Sequence, residues 1–263
     1  MWRRSFLILL LAGLPAIPAS AQQADAPFVP TVGQAGKDVV WVPTPPELVE
    51  KMLEMAKVTP QDFVMDLGSG DGRNVIAAAK RGARSLGVEY NPDMVALSKR
   101  SADQAGVSDK ATFVEGDMYE ADISKASVMA LFLLPSNMLK LRPKFFNLAP
   151  GSRIVSNTFG MEDWTPDETA SLPNCTDWCN VLLWIVPAKV EGTWTLPQGQ
   201  LTLRQNFQML SGTLGNTSIS EGTLRGNDIT FKAGGAQYTG RVIGNTMEGT
   251  SGGTRWTATR VVP

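Results

Sequence analysis

Short apolar runs alternate with helical stretches in the first two thirds of the chain, between residues 63 and 187. Runs of this kind, rich in Val, Leu, Ile, Met and Phe, are typical of strands that are buried on both faces. The predicted strands are residues 63–67, 85–89, 111–115, 128–134, 153–157 and 181–186. Because strands that alternate with helices build βαβ units, the pattern predicts a parallel sheet covered by helices.

An amphipathic helix is predicted just before the first strand. Leu48 and Met52 lie at helical spacing, Pro46 suits a first helical turn, and Thr44 is a candidate N-cap. The preceding residues, 22–38, are rich in Gln, Ala, Pro and Gly and have no periodicity, which predicts a flexible leader. We therefore expect the first folded domain to span residues 39–187.

The pattern changes after Pro187. Residues 188–263 contain 13 glycines and 13 threonines and no stretch suited to a long helix. Related Glu/Ser-Gly-Thr phrases recur at residues 191–193, 211–213, 221–223 and 248–250. This pattern predicts a small β domain of seven or eight short antiparallel strands joined by tight turns. A closed barrel and an open sheet packed on the first domain would both protect the strand edges, and both alternatives remain open.

The N-terminal residues 1–21 have the pattern of a secretory signal peptide. Two arginines precede an apolar run at residues 6–14, and an Ala-x-Ala site ends at Ala21. The run is shorter than the roughly 18–20 residues that span a bilayer, so we expect no stable transmembrane helix after cleavage. We expect an exported, periplasmic protein. Arg3-Arg4-Ser5-Phe6-Leu7 also resembles a twin-arginine signal, which leaves the export route open.

Composition excludes several classes of function. The 263 residues include 24 Lys and Arg, 25 Asp and Glu and no histidine, and the net charge is −1. This balance predicts no nucleic-acid partner, because a polyanion needs a basic surface. The absence of histidine excludes Ser-His-Asp and Cys-His catalysis and any imidazole-ligated metal.

Cys175 and Cys179 are the only two cysteines. Two thiolates without histidine fall two ligands short of a zinc site, so we predict no metal site. In an oxidising compartment a short-range disulfide between them is favoured, and a pair of buried thiols is the alternative.

The run V-M-D-L-G-S-G-D-G-R at residues 64–73 predicts a strand, a glycine turn and a helix. Its spacing is G-x-G-x-G, and Arg73 stands where a dinucleotide fingerprint has its third glycine, which argues against NAD. An acidic loop suits a cation better than a pyrophosphate, and S-adenosylmethionine carries both a sulfonium and an ammonium. The candidate cofactor-binding residues of this loop are Asp66, Gly68, Ser69, Gly70 and Gly72.

Two further candidate positions follow the next two predicted strands. Glu89 ends the second strand, directly before Tyr90, and a carboxylate there can accept both hydroxyls of a ribose. Asp117 and Met118 follow the third strand, where the acid can accept from an adenine amino group and Met118 can pack on the ring. The structural alternatives are a solvated strand end for Glu89 and a surface turn for Asp117 and Met118.

These motifs together resemble a class I S-adenosylmethionine-dependent methyltransferase, and more closely the lysine N-methyltransferases of the ATP synthase c-subunit type. The matching segments are W-V-P-T-P at 41–45, D-L-G-S-G-D-G-R at 66–73, G-V-E-Y-N-P at 87–92, F-L-L-P-S at 132–136 and S-N-T-F at 156–159. The resemblance covers about residues 39–165. It implies a Rossmann-like α/β sheet, here followed by the all-β domain, and S-adenosyl-L-methionine as the cofactor.

The resemblance also implies where the methyl acceptor lies. Thr44, Pro135 and Ser136 would flank it as catalytic candidates, with Trp164 as a lid. The structural alternatives are a helix cap for Thr44, a turn for Pro135 and a core anchor for Trp164. The fourth strand ends in L-L-P-S instead of the N/D-P-P-Y/F of amide and base amino methyltransferases, which argues against those acceptors.

The sequence therefore predicts an S-adenosylmethionine-dependent methyltransferase that acts on a protein lysine. One alternative is a small-molecule methyltransferase, and another is an exported, non-catalytic protein that binds an adenosyl ligand or a partner. An exported enzyme would meet little S-adenosylmethionine, because S-adenosylmethionine is a cytosolic metabolite.

Overall fold

A computed structural model gives the structure of residues 28–261. The predicted signal peptide at residues 1–21 lies outside the described residues. Within residues 28–261, no helix is both long enough and apolar enough to cross a bilayer.

The first domain contains a seven-stranded sheet with helices on both faces. Its helices are α1 (Pro46–Met55), α2 (Arg73–Lys80), α3 (Pro92–Gln104) and α4 (Pro135–Phe146). Its strands are β1 (Phe63–Leu67), β2 (Arg84–Glu89), β3 (Ala111–Glu115), β4 (Val128–Leu131), β5 (Arg153–Asn157), β6 (Glu168–Ser171) and β7 (Asn180–Ile185). The strand order is β3-β2-β1-β4-β5-β7-β6.

The prediction of a parallel sheet is confirmed for five strands and is wrong at one edge. Strands β1 to β5 are parallel, but β7 runs antiparallel to β5, and β6 runs antiparallel to β7. No helix lies between β5 and β7 to carry the chain back across the sheet, so a parallel crossover is not available. Strand β6 escaped prediction because Glu168–Ser171 has no buried residue that would mark it.

Alternation of side chains along the central strands builds the two sides of the core. Val64 of β1 packs in a cluster with Leu48 of α1, whereas the next residue, Met65, packs in a cluster with Leu141 and Phe145 of α4. Successive side chains of a strand point to opposite faces, so both faces of β1 are buried under helices. Because helices cover both faces, a site can lie at the carboxyl ends of the parallel strands.

Two local predictions need correction. Helix α1 begins at Pro46 after Pro45, with no side-chain cap, so Thr44 is not its N-cap. The fourth strand ends at Leu131 rather than Leu134, since Pro135 begins α4 and fixes a helical φ at its first position.

The second domain is a closed eight-stranded barrel, which decides between the two predicted alternatives. Its strands are β8 (Gly192–Leu196), β9 (Gly199–Asn206), β10 (Met209–Leu214), β11 (Thr217–Arg225), β12 (Asp228–Ala233), β13 (Ala236–Ile243), β14 (Thr246–Ser251) and β15 (Thr254–Arg260). The barrel closes where Thr195 of β8 pairs with Thr259 of β15. Buried Trp194, Phe231 and Trp256 fill its interior.

Glycine explains most turns of the barrel and a close approach between two of its strands. Five of its hairpins turn through Gly-Asn or Gly-Gly, whose first glycine has a positive φ, as two-residue hairpins require. Inside β14, a Cβ on Gly249 would lie 1.9 Å from the carbonyl oxygen of Thr239, so only glycine permits that close approach. The β9–β10 hairpin differs, because Phe207 stands at its turn with a φ of +51°.

Phe207 joins the barrel to the first domain. Its ring stacks on Trp164 at 5.1 Å between centroids and meets Phe146 edge-on at 5.5 Å. The neighbouring Gln208 donates to the carbonyl oxygen of Thr165 at 2.7 Å. Trp164 is fully buried in this junction, so it anchors the core and is not a lid over a site.

Candidate functional site

A cleft lies where the chain reverses direction in the sheet. The chain leaves β1 toward β2 and β3 and later returns to β4 on the other side of β1, which makes the carboxyl end of β1 a topological switch point. Ligands of open α/β sheets bind in the crevice at such a point. The lining of the cleft includes Gly68, Gly70, Glu89 and Asp117.

The glycine loop between β1 and α2 forms the floor of the cleft. Gly68, Gly70 and Gly72 have φ values of +69°, +56° and +81°, a conformation that L side chains rarely adopt. A Cβ on Gly70 would lie 2.8 Å from the indole nitrogen of Trp41, so the loop also depends on glycine for space. The backbone is therefore exposed to a ligand without intervening side chains.

Asp66, at the end of β1, is a buried carboxylate with an unused oxygen. Its Oδ2 accepts from the Asn74 side-chain nitrogen at 3.0 Å, and its Oδ1 has no hydrogen-bond partner among the described residues. Burial raises the pKa of Asp66 well above its ordinary value, and the negative charges of Glu89 and Asp71 raise it further. The Asp66 carboxyl group can therefore accept a hydrogen bond from a cationic ligand, whose positive charge favours the ionised carboxylate.

The glycine loop and the first turn of α2 place further acceptors near Asp66. The Oγ of Ser69 and the Oδ1 of Asn74 are also buried and have no partner among the described residues. Asp71, in contrast, is paired with the Arg73 guanidinium, which also donates to the carbonyl oxygen of Thr44 at 2.6 Å. Asp66 is thus the carboxyl group of the loop that has no ion pair among the described residues, and its surroundings fit the ammonium of a methionine group.

Glu89, at the end of β2, holds the glycine loop in place. Its two oxygens accept from the backbone nitrogens of Gly70 at 2.9 Å and Asn91 at 3.0 Å. Each carboxylate oxygen keeps a second acceptor position. Tyr90 follows at the mouth of the cleft, where its side chain is exposed.

Asp117 lies on the opposite wall and is paired with Lys37. The Lys37 ammonium lies 2.5 Å from Asp117 Oδ2 and 4.8 Å from the centre of the Tyr90 ring. The hydrogen bond from Lys37 lowers the pKa of Asp117, and the same bond raises the pKa of Lys37. Met118 is buried beside Asp117 in the wall of the cleft.

Residues 33–42, which we call the strap, close one side of the cleft. The strap is a small hairpin in which the Gly33 nitrogen donates to the carbonyl oxygen of Trp41 and the Trp41 nitrogen donates to that of Gln34, at 2.9 Å each. Most of it falls in the predicted flexible leader, so sequence reasoning missed the contribution of Lys37. The only sequence feature that pointed to the strap was the W-V-P-T-P segment beginning at Trp41.

The three catalytic candidates occupy different environments. Thr44 is buried beside Asp66 and Asn74, and its Oγ1 accepts from the Asn157 side chain at 3.4 Å. Pro135 and Ser136 are exposed in the first turn of α4. The structure thus brings Thr44 next to the glycine loop and leaves Pro135 and Ser136 at the rim, after Leu134.

A second cavity, the apolar groove, adjoins the cleft. Phe132 and Val42 line both cavities, so the two lie next to each other. Phe132 stacks with Phe159 at 6.0 Å between centroids and meets Trp178 edge-on at 6.3 Å. The remaining lining residues are Val39, Val40, Leu133 and Leu134, so among the described residues no ionisable side chain lines the groove.

The fold and the site define a class I S-adenosylmethionine-dependent methyltransferase. A sequence profile of the ANTKMT methyltransferase domain matches residues 66–168. A protein-lysine N-methyltransferase of Saccharolobus islandicus is 42% identical over 49% of this chain and 83% of that protein. The Rattus norvegicus lysine N-methyltransferase of the ATP synthase c-subunit is 33% identical over 62% of this chain and 70% of that protein. The chain belongs to this family of methyltransferases.

A solved structure supports both the fold and the cofactor. An RNA methyltransferase from Salinibacter ruber, in complex with S-adenosyl-L-homocysteine, is 46% identical, with a TM-score of 0.54 over 57% of this chain and 96% of that one. The predicted Rossmann-like fold, the enzyme class and the cofactor S-adenosyl-L-methionine are confirmed. The names of these relatives give different acceptors, a protein lysine for two of them and RNA for the third.

Proposed function

We propose that this protein transfers a methyl group from S-adenosylmethionine to the ε-amine of a lysine in a protein. The observation that carries the proposal is the apolar groove, which meets the cofactor cleft at Phe132 and Val42. When bound, the cofactor supplies a methyl group activated by its sulfonium. A lysine side chain, with an apolar stem and a terminal nitrogen, suits a groove of this shape and chemistry. The lysine N-methyltransferases among the relatives support the same acceptor.

The groove also addresses the protonation of the acceptor. A lysine amine has an ordinary pKa near 10.4 and must lose a proton before it can attack a methyl carbon. Because desolvation disfavours the charged form, a groove lined only by apolar and aromatic side chains lowers that pKa. We propose that the chain promotes release of the proton to solvent by desolvation, without a dedicated base in the groove.

We further propose how the site residues divide the work. Asp66, Ser69 and the backbone of Gly68, Gly70 and Gly72 hold the methionine end of the cofactor, supported by the unpartnered acceptors around Asp66. Glu89 and Tyr90 hold the ribose side, and Asp117 and Met118 hold the adenine. Thr44, Pro135 and Ser136 flank the acceptor, because Thr44 lies beside the glycine loop and the other two follow Leu134 of the groove.

Methyl incorporation into a peptide library with one central lysine tests the acceptor. With labelled S-adenosylmethionine, we expect label on lysine peptides and none on matched peptides that carry norleucine, because norleucine keeps the apolar stem and lacks the amine. An RNA transcript and free lysine are assayed in parallel. Label on the transcript or on free lysine, with none on any lysine peptide, would overturn the proposed acceptor.

We also propose that the protein is exported to the periplasm after cleavage at Ala21. The signal-like pattern of residues 1–21 and the Cys175–Cys179 disulfide support this, since disulfides persist in oxidising compartments. N-terminal sequencing of the protein from a periplasmic fraction is expected to begin at Gln22. Recovery of the uncleaved chain in the cytoplasm would contradict export. A twin-arginine route, which carries folded proteins, would allow the cofactor to be bound before export.

A further inference from the structure

The loop between β6 and β7, residues 172–179, carries an unusual tryptophan. We call it the disulfide loop, because Cys175 and Cys179 are bonded within it. The loop is closed at its base by a hydrogen bond from the Leu172 backbone nitrogen to the carbonyl oxygen of Cys179, at 2.9 Å. Trp178 has a φ of +54°, which is costly for a bulky residue. A disulfide between residues four apart restricts the loop to few conformations and can hold this one in place.

Burial does not explain the position of Trp178. Its residue is 38% exposed, so core packing supplies little stabilisation to offset the unfavourable backbone. Its ring instead stands edge-on to Phe132 and forms one wall of the apolar groove. Val40 and Leu134, two other exposed apolar residues, border the same groove. Backbone outliers held by their surroundings often mark functional sites, and the groove is the site that Trp178 lines.

We propose that Trp178 binds the lysine stem of the acceptor and that the disulfide positions Trp178 for this contact. The inference rests on the proposed lysine-methyltransferase function and adds a specificity-determining residue to it. The groove and the cofactor cleft share Phe132 and Val42 in their linings, so the proposal places the end of the lysine stem beside the cofactor. A lysine stem packed between Trp178 and the strap would point its nitrogen toward that junction.

The disulfide makes acceptor recognition sensitive to reduction. Dithiothreitol donates two electrons and two protons to the S–S bond, which yields two thiols while dithiothreitol becomes its cyclic disulfide. The freed loop can then leave the left-handed conformation at Trp178, and the groove loses one wall. Trp178 does not line the cofactor cleft, so affinity for the cofactor is expected to stay the same.

Steady-state kinetics on a lysine peptide, with cofactor binding measured separately, test this proposal. Trp178→Ala is expected to raise the KM for the peptide about tenfold, with kcat and the Kd for S-adenosylhomocysteine within about twofold of wild type. The double variant Cys175→Ser/Cys179→Ser is expected to raise the same KM, whereas Trp178→Phe restores most of the affinity. Ile243→Ala, which removes an exposed apolar side chain from the barrel, is the matched control. It should change neither the peptide KM nor the Kd for S-adenosylhomocysteine.

The outcomes separate this inference from the proposed function. If the wild-type protein methylates no lysine peptide, the proposed acceptor fails and this inference fails with it. If the wild type is active and Trp178→Ala leaves the peptide KM unchanged, only this inference is overturned. If Trp178→Ala raises KM but the double cysteine variant and dithiothreitol do not, the positioning role of the disulfide is overturned. Circular dichroism spectra that match wild type establish that each variant is folded.

Discussion

Asp66→Ala is expected to weaken the binding of S-adenosylhomocysteine about 100-fold. The carboxylate is buried, and one of its oxygens has no partner among the described residues, so a ligand ammonium gains a charged hydrogen bond there. Hydrogen bonds to charged groups contribute about 1.5–3 kcal/mol, which corresponds to roughly 10- to 150-fold in affinity. Isothermal titration calorimetry measures the change directly.

The matched control for Asp66→Ala is Asp62→Ala. Asp62 is also a buried acid, but it immediately precedes β1, at the end of the strand opposite the cleft, and pairs with Ser127 and Arg153. Its replacement is expected to reduce stability without changing the Kd of a folded protein. If Asp66→Ala stayed within about threefold of wild type, the assignment of the cleft floor would be wrong.

The same carboxylate predicts a pH dependence of binding. Burial raises the pKa of Asp66 in the ligand-free protein, so its carboxyl group keeps a proton at pH values above about 4, where an exposed aspartate has lost it. A bound ammonium favours the ionised form, so binding releases a proton and affinity rises with pH through that pKa. Calorimetry in two buffers of different ionisation enthalpy should detect the release, and Asp66→Asn should abolish it.

Trp164→Ala is expected to lower the free energy of unfolding by about 3–5 kcal/mol, as for other large-to-small changes at buried aromatic positions. The indole is fully buried and stacks on Phe207, so its loss leaves a cavity at the junction between the barrel and the first domain. Urea denaturation followed by circular dichroism measures the effect.

Trp178→Ala is the comparison for the stability experiment. This tryptophan is 38% exposed, so its removal is expected to cost less than about 1 kcal/mol. Equal destabilisation by the two substitutions would contradict the view that Trp164 anchors the junction. A separate unfolding step for the barrel in Trp164→Ala would support it further.

The elements that the sequence predicted well are those with an unambiguous pattern. Strands at residues 63–67, 111–115 and 153–157 have their predicted bounds, because each apolar run is buried on at least one face and ends at a polar or glycine turn. The barrel strands were also predictable as a group, since glycine turns and alternating residues recur through residues 188–263. Whether they close into a barrel depends on the pairing of β8 with β15, which is a contact distant in sequence.

The features that escaped prediction depend on contacts between distant segments. The strap lacks periodicity and is ordered by its hairpin and by the contact of Lys37 with Asp117, 80 residues away. Phe207 occupies a turn position where glycine is usual, and only its partner Trp164 explains it. Trp178 gave no local indication of function, because its role depends on Phe132 across the groove.

A crystal structure of the protein with S-adenosylhomocysteine tests the central claim most directly. We expect ligand density in the cleft between the glycine loop, Glu89 and Asp117, with the Asp66 carboxylate within hydrogen-bond distance of the ligand ammonium. We also expect the adenine amino group to donate a hydrogen bond to the Asp117 carboxylate, which in the ligand-free structure accepts from Lys37. Ligand density at another place, or a cleft that stays empty at saturating ligand while the protein is folded, would contradict the assignment of this cleft as the cofactor site.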